Sequence, residues 1–214
     1  MSKEEKLAAE IENLKSDTAK NNAERSLILE NYEWTRRRHE EELAASDEHG
    51  LFELWGPVTD TSVGGVVRVL GDYSRKCPAA PIHIAFNSPG GSVFAGLALY
   101  DYIRSLQSVG HKITTNTIGY AASMGGILLQ AGDERVAGRN AYMLIHEVST
   151  VGYGKLSEIA DEVKFSNRLQ DRCCAILASR STLSVDEIKK RWHKTDWWLD
   201  ADEMLEFGFV DRIQ

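Results

Sequence analysis

Ser123 stands in the run Gly119-Tyr120-Ala121-Ala122-Ser123-Met124-Gly125-Gly126, where an apolar stretch that reads as a strand gives way to one that reads as a helix. Peptide hydrolysis through an acyl intermediate needs a hydroxyl that a base can activate and a base held in one tautomer. It also needs N–H donors fixed where the oxyanion forms. The small neighbours of Ser123 let a substrate backbone come close, and a helix start aims unspent N–H groups at that point. A serine at such a junction also serves as a plain N-cap. Among six histidines, His39 and His49 lie in or beside a polar N-terminal segment, His83 lies within a strand, and His111 and His193 lie in polar segments. His146 alone ends an apolar strand, Tyr142-Met143-Leu144-Ile145, and is the candidate base; a histidine satisfied by backbone hydrogen bonds is the alternative. Asp196, Asp200, Asp202 and Asp211 are the acids near the end of the chain. Helix capping accounts for Asp200 and a first helical turn for Asp202. Asp196 has no such local duty and precedes an apolar run, so it is either the acid that orients the base or a surface turn residue. Gly90-Gly91 after Pro89 forms a turn whose backbone can approach a ligand. It would supply one oxyanion N–H and Met124 the other, each worth about 3 kcal/mol in a transition state, or it is only a tight turn.

The elements that must hold these residues alternate between strand and helix. Leu51 to Val58 reads as a strand. Val63, Val66, Val67 and Leu70 recur at helical steps after Thr61. Ile82 to Phe86 is a short strand, and a helix runs from about Ser92 to Gln107. Lys112 to Ile118 is the strand that enters the Ser123 turn, and a helix continues from there to Ala131. Ala141 to Ile145 is again a strand. Leu156 to Arg180 is one long amphipathic helix, with Leu156, Ile159, Ala160, Val163, Leu169, Cys173 and Ile176 on one face. Capping boxes are expected at Ser184 with Glu187 and at Asp200 with Glu203. Gly208 ends the last helix before a final strand, Phe209 to Ile213. Repeated strand–helix units imply an α/β fold with a mostly parallel sheet, whose strand ends are the usual place for chemistry. Neither glycine-rich turn matches a nucleotide-binding pattern.

Residues 1 to 46 differ from the rest. They hold no Gly or Pro, and an apolar stripe through Leu7, Ile11 and Leu14 returns at Ile28 and Tyr32. This reads as a charged helical arm, either solvated or used for oligomerisation or docking. The chain of 214 residues is 43% hydrophobic and 27% charged with a net charge of -7, which suits one compact globular domain or one domain with an appendage. Arg36-Arg37-Arg38 is followed almost at once by Glu40, Glu41 and Glu42, so no nucleic-acid track is expected. Cys77, Cys173 and Cys174 show no metal spacing and are expected to be reduced and buried. With no signal-peptide core and no apolar run of membrane-spanning length, a cytoplasmic protein is expected.

Four stretches in register resemble the proteolytic subunit of the Clp protease, from about Leu51 to Ile213. They are Asn87-Ser88-Pro89-Gly90-Gly91-Ser92 with Tyr100-Asp101, Ala121-Ala122-Ser123-Met124-Gly125, Met143-Leu144-Ile145-His146, and Asp196-Trp197-Trp198-Leu199-Asp200-Ala201 with Glu206-Phe207-Gly208-Phe209-Val210-Asp211. The resemblance implies a crotonase-like fold of ββα units over residues 51 to 214 and a serine endopeptidase. The triad would be Ser123, His146 and Asp196, with the backbone N–H groups of Gly91 and Met124 as oxyanion donors. The helix from Leu156 would be a handle joining two stacked rings of a homo-oligomer, and the substrates would be polypeptides. No metal or cofactor is implied, and ATP enters only through a partner unfoldase of the AAA+ class. His83 and Ala85 stand where the family usually has the aromatic residues that dock that partner. Glu147 and Val148 follow the histidine where Gln and Pro are common, and the charged arm replaces the short segment that lines the axial pore.

Two other readings belong to the same residues. One is a catalytically silent ring or assembly subunit, against which the intact candidate triad argues. The other is an acyl-CoA enzyme of the wider crotonase group, in which a Ser-His-Asp set would be surplus. Phage peptidases that mature capsids share this core with altered ends, and that setting is a further alternative.

Overall fold

The structure, a computed structural model, describes residues 50–150 and 153–214; the arm expected over residues 1–46 lies outside them. Thirteen elements follow in order: β1 (Leu51–Trp55), α1 (Asp60–Lys76), β2 (Ile82–Ser88), α2 (Val93–Ser108), β3 (Ile113–Ala122), α3 (Met124–Leu129), β4 (Glu134–Ala137), β5 (Tyr142–Ile145), α4 (Leu156–Ser179), α5 (Val185–Trp192), β6 (Trp197–Leu199), α6 (Ala201–Glu206) and β7 (Arg212–Ile213). The sheet runs β1-β2-β3-β4-β7, with β5 branching from β3 and β6 from β5. All pairs are parallel except β5 with β6. The expected α/β fold with a mostly parallel sheet is therefore present.

Strand alternation sets the core. Phe52 and Leu54 of β1 and Ile82, Ile84 and Phe86 of β2 are buried, whereas Leu51, Glu53 and His83 between them are exposed. α1 packs on β1, α3 packs on β2 and β3, and α2 packs against both helices. A period of two along the strands meets a period near 3.6 along the helices, which buries one side of each. α1 begins with a capping box in which Thr59 and Ser62 bond reciprocally, and the boxes expected at Ser184 with Glu187 and at Asp200 with Glu203 are both formed.

Strand β3 is the element that places the site. Its first half pairs with β4 through Thr114–Thr117, and its second half pairs with β5 through Tyr120–Ala122. Between them the register against β2 shifts, from Phe86 opposite Thr117 to Ser88 opposite Ala121. The extra residues bend the strand at Gly119, whose φ is +79°. A side chain there would meet the Asn87 carboxamide at 2.8 Å. A bulge that re-aims a strand in this way often lies next to a functional site.

Several boundaries differ from the sequence reading. The first strand stops at Trp55, because Pro57 has no N–H for a ladder, and only an isolated bridge joins Val58 to Gly91. The last strand is cut to Arg212–Ile213, since the N–H groups of Phe209 and Val210 turn back to the Met204 carbonyl. Strand β4, Glu-Arg-Val-Ala, carries no apolar alternation and was not expected. His111 is buried rather than polar: Nδ1 meets the Ala80 carbonyl at 2.7 Å and Nε2 meets Ser74 Oγ at 2.8 Å. On α4 only Cys173, Cys174 and Leu177 are buried; of its expected apolar face Leu156, Ala160 and Val163 are exposed and Ile159, Leu169 and Ile176 half-buried.

Candidate active site

Ser123 closes β3 and opens α3 with φ 53° and ψ −121°. This region is foreign to side-chain-bearing residues and costs about 1–3 kcal/mol. Three backbone bonds hold it there. Its N–H donates to the Leu144 carbonyl at 2.9 Å, and its own carbonyl accepts from Gly126 at 3.0 Å and Ile127 at 3.3 Å. Its hydroxyl makes no capping bond to the helix, so the N-cap role that the position offers is not taken up. A sharp strand-to-helix turn of this kind presents a serine Oγ at the rim of a sheet.

The Pro89-Gly90-Gly91 turn lies against it. A Cβ on Gly90, whose φ is +88°, would fall 2.6 Å from Ser123 Cβ and 2.9 Å from Met124 N. The turn is pinned from behind. Val58 N–H donates to Gly90 O, Ser92 N–H donates to Val58 O, both at 2.8 Å, and Gly90 N–H reaches the buried Ser88 hydroxyl at 3.1 Å. Among the described residues neither Gly91 N–H nor Met124 N–H has an acceptor.

Ser123, Met124, Gly91 and His146 line one cavity of about 270 Å³, whose apolar walls include Ile127, Leu177 and Trp192. Cys173 also lines it. Burial, with Cys174 beside it, pushes the Cys173 thiol up to about 11, so it stays protonated at neutral pH and does not rival the serine as nucleophile. All three cysteines are free.

His146 follows β5 and is half-buried. Its Nδ1 lies 2.5 Å from the Glu147 carbonyl oxygen. A carbonyl only accepts, so Nδ1 carries a proton; in the neutral imidazole this leaves the lone pair on Nε2, the tautomer a general base requires. Asp196 is exposed and precedes β6. The antiparallel ladder ends with Ile145 paired to Trp197, so His146 and Asp196 are the residues that flank its end. Both line a second hollow of about 550 Å³ with Glu147 and Lys194, and Trp192 walls this hollow as well as the first. Ser123 and His146 thus share one cavity and His146 and Asp196 the other, while His146 Nδ1 is bonded to Glu147 O rather than to the carboxylate. The Ser74–His111 hydrogen bond belongs to neither cavity.

Sequence reasoning missed Trp192, which ends the short helix capped by Ser184, and missed the Glu147 carbonyl, which no side-chain pattern reports. It placed Asp196 before an apolar run, but the β5–β6 pairing that brings Asp196 and His146 to one hollow appears only in the fold.

A family model described as Clp protease matches residues 43–214. The ATP-dependent Clp protease proteolytic subunit 2 of Tropheryma whipplei (strain Twist) is 39% identical over 139 residues, covering 64% of this chain and 75% of that protein. With the match running through every element around the Ser123 cavity, the chain belongs to the Clp protease family and is a serine-type peptidase.

Proposed function

We propose that the chain is an endopeptidase that cleaves polypeptides through Ser123, His146 and Asp196 inside a homo-oligomeric ring assembly. The observation that carries this reading is the strained turn at Ser123, which leaves its hydroxyl free of any capping bond at a cavity that His146, Gly91 and Met124 also line. In the first step Ser123 Oγ bonds to the scissile carbonyl carbon and its proton passes to His146 Nε2. The oxyanion takes hydrogen bonds from Gly91 N–H and Met124 N–H. As the C–N bond breaks, Nε2 returns the proton to the departing amine, and a water repeats the sequence on the acyl-enzyme. Asp196, which lines the same hollow as His146, would support the imidazolium once Nδ1–H turns from Glu147 O to its carboxylate.

The crotonase-like arrangement of ββα units is part of this proposal; β4, β5 and α4 follow one another in that order. The uncovered apolar length of α4 supports its use as a handle between rings. Leu156 is 88% exposed and Val163 48%, values that suit residues awaiting a partner chain. His83 and Ala85 offer no aromatic grip on the open face of β2, so cleavage of short unstructured peptides without an unfoldase is the expected basal activity. A cytoplasmic setting remains our reading; among the described residues no helix is long and apolar enough to cross a membrane.

The test is labelling of the purified assembly with a fluorophosphonate. Ser123 should carry the adduct, and Ser123→Ala should abolish both labelling and peptide cleavage. Adduct on Ser74, or cleavage surviving in Ser123→Ala, would reject the assignment.

A further inference from the structure

The segment after His146 is fixed by side chains of α4 rather than by the sheet. β5 ends at Ile145, so the next backbone amides have no ladder partner. Val148 N–H instead donates to Gln170 Oε1 at 3.0 Å, and Thr150 Oγ donates to Glu162 Oε1 at 3.2 Å. Val148 N–H and Glu147 C=O are the two ends of a single peptide unit, which is planar and trans. Gln170 grips one end of that plane and His146 Nδ1 the other. Rotating the plane would break both bonds together.

Gln170 sits half-buried on α4, one turn before Cys173 and Cys174, where the helix passes from solvent into the core. It therefore lies where α4 enters the core, one turn from side chains that are buried. Val148 and Ser149 themselves line the Ser123 cavity, so the plane that Gln170 holds is part of the cavity wall.

We propose that Gln170 is a positioning residue: by holding the Glu147–Val148 peptide plane it sets the orientation and tautomer of His146. The proposal rests on the assignment of His146 as base. Without Gln170 the Val148 N–H loses its acceptor and the plane is free to turn. The Glu147 carbonyl then no longer selects the Nδ1–H form, and Nε2 is presented to Ser123 for a smaller fraction of the time. Geometric errors of this size in a catalytic group cost about tenfold to a hundredfold in rate.

The experiment compares kcat, KM and thermal stability of the full-length assembly for four variants. Gln170→Ala should lower kcat about tenfold or more with KM and melting temperature nearly unchanged. Gln170→Glu keeps an acceptor and should recover most of that loss. Val148→Pro removes the donor, and Gln170→Ala added to it should have no further effect. A Gln170→Ala enzyme with kcat unchanged or raised overturns the proposal. So does a rate loss that Gln170→Glu fails to recover or that tracks loss of stability. The fluorophosphonate adduct separates the two levels: a labelled Ser123 with an indifferent Gln170 sinks only the positioning role, whereas an unlabelled Ser123 sinks the triad itself.

Discussion

At the residue scale the site is a matter of who may stand beside Ser123. Its backbone conformation is costly for a residue with a side chain, and it persists because Leu144, Gly126 and Ile127 over-determine it. Gly90 is the other half of that arrangement, since it alone leaves room for the Ser123 Cβ and the Met124 amide. Gly90→Ala should therefore displace the turn that aims both the hydroxyl and an oxyanion donor. Fluorophosphonate labelling should fall at least about tenfold, with a stability loss of about 1–3 kcal/mol; labelling at the wild-type rate would show that the turn does not set the site. The sequence displayed the types needed here, a serine among small residues and a histidine ending an apolar strand. What it withheld is geometric. The tautomer of His146 is fixed by a backbone carbonyl, and a carbonyl leaves no mark in residue identity.

At the scale of elements, α4 carries the clearest sign that the chain is built for company. Its 24 residues extend about 36 Å, yet only the last third is buried in the core through Cys173, Cys174 and Leu177. Replacing Leu156 and Val163 by Glu places charge on surface that the proposed ring pairing would bury. Native mass should drop to a single ring or smaller while the circular dichroism of the subunit is kept; an unchanged mass would remove α4 from the interface. The periodicity of this helix was legible, but periodicity marks a face and not what covers it. The same limit explains β4. Arg135 is buried there because other segments supply its partners, and a four-residue strand with two charges looks like a loop until those partners are known. By contrast α5 and α6 start as read, because their capping boxes are local chemistry.

Across the whole molecule, Arg135 joins parts of the chain that are remote in sequence. Its guanidinium forms an ion pair with Asp211 and donates to Gln130 Oε1 at 2.8 Å, to the Gly208 carbonyl at 2.7 Å and to the Arg180 carbonyl at the end of α4. Arg135 N–H also reaches Asp211 Oδ2 at 2.7 Å. Burial works against an ionised Asp211, but the bonds from Arg135 outweigh it and hold the carboxyl below its usual range. A carboxyl whose native value is depressed stabilises the fold where it is ionised. That contribution is complete above the ordinary carboxylate value near about 4 and is lost as pH falls through the lower native value. Asp211→Asn leaves Arg135 buried with half its fork unanswered, so at pH 7 the variant should be less stable by about 1–3 kcal/mol. On acidification below about pH 4 the two proteins should converge, because the wild-type carboxyl then becomes as neutral as the amide. Denaturant melts across that range read the difference directly. A gap that stays constant from pH 7 to pH 3 would mean that the charge of Asp211 contributes nothing and that shape alone closes the C-terminal segment onto β4.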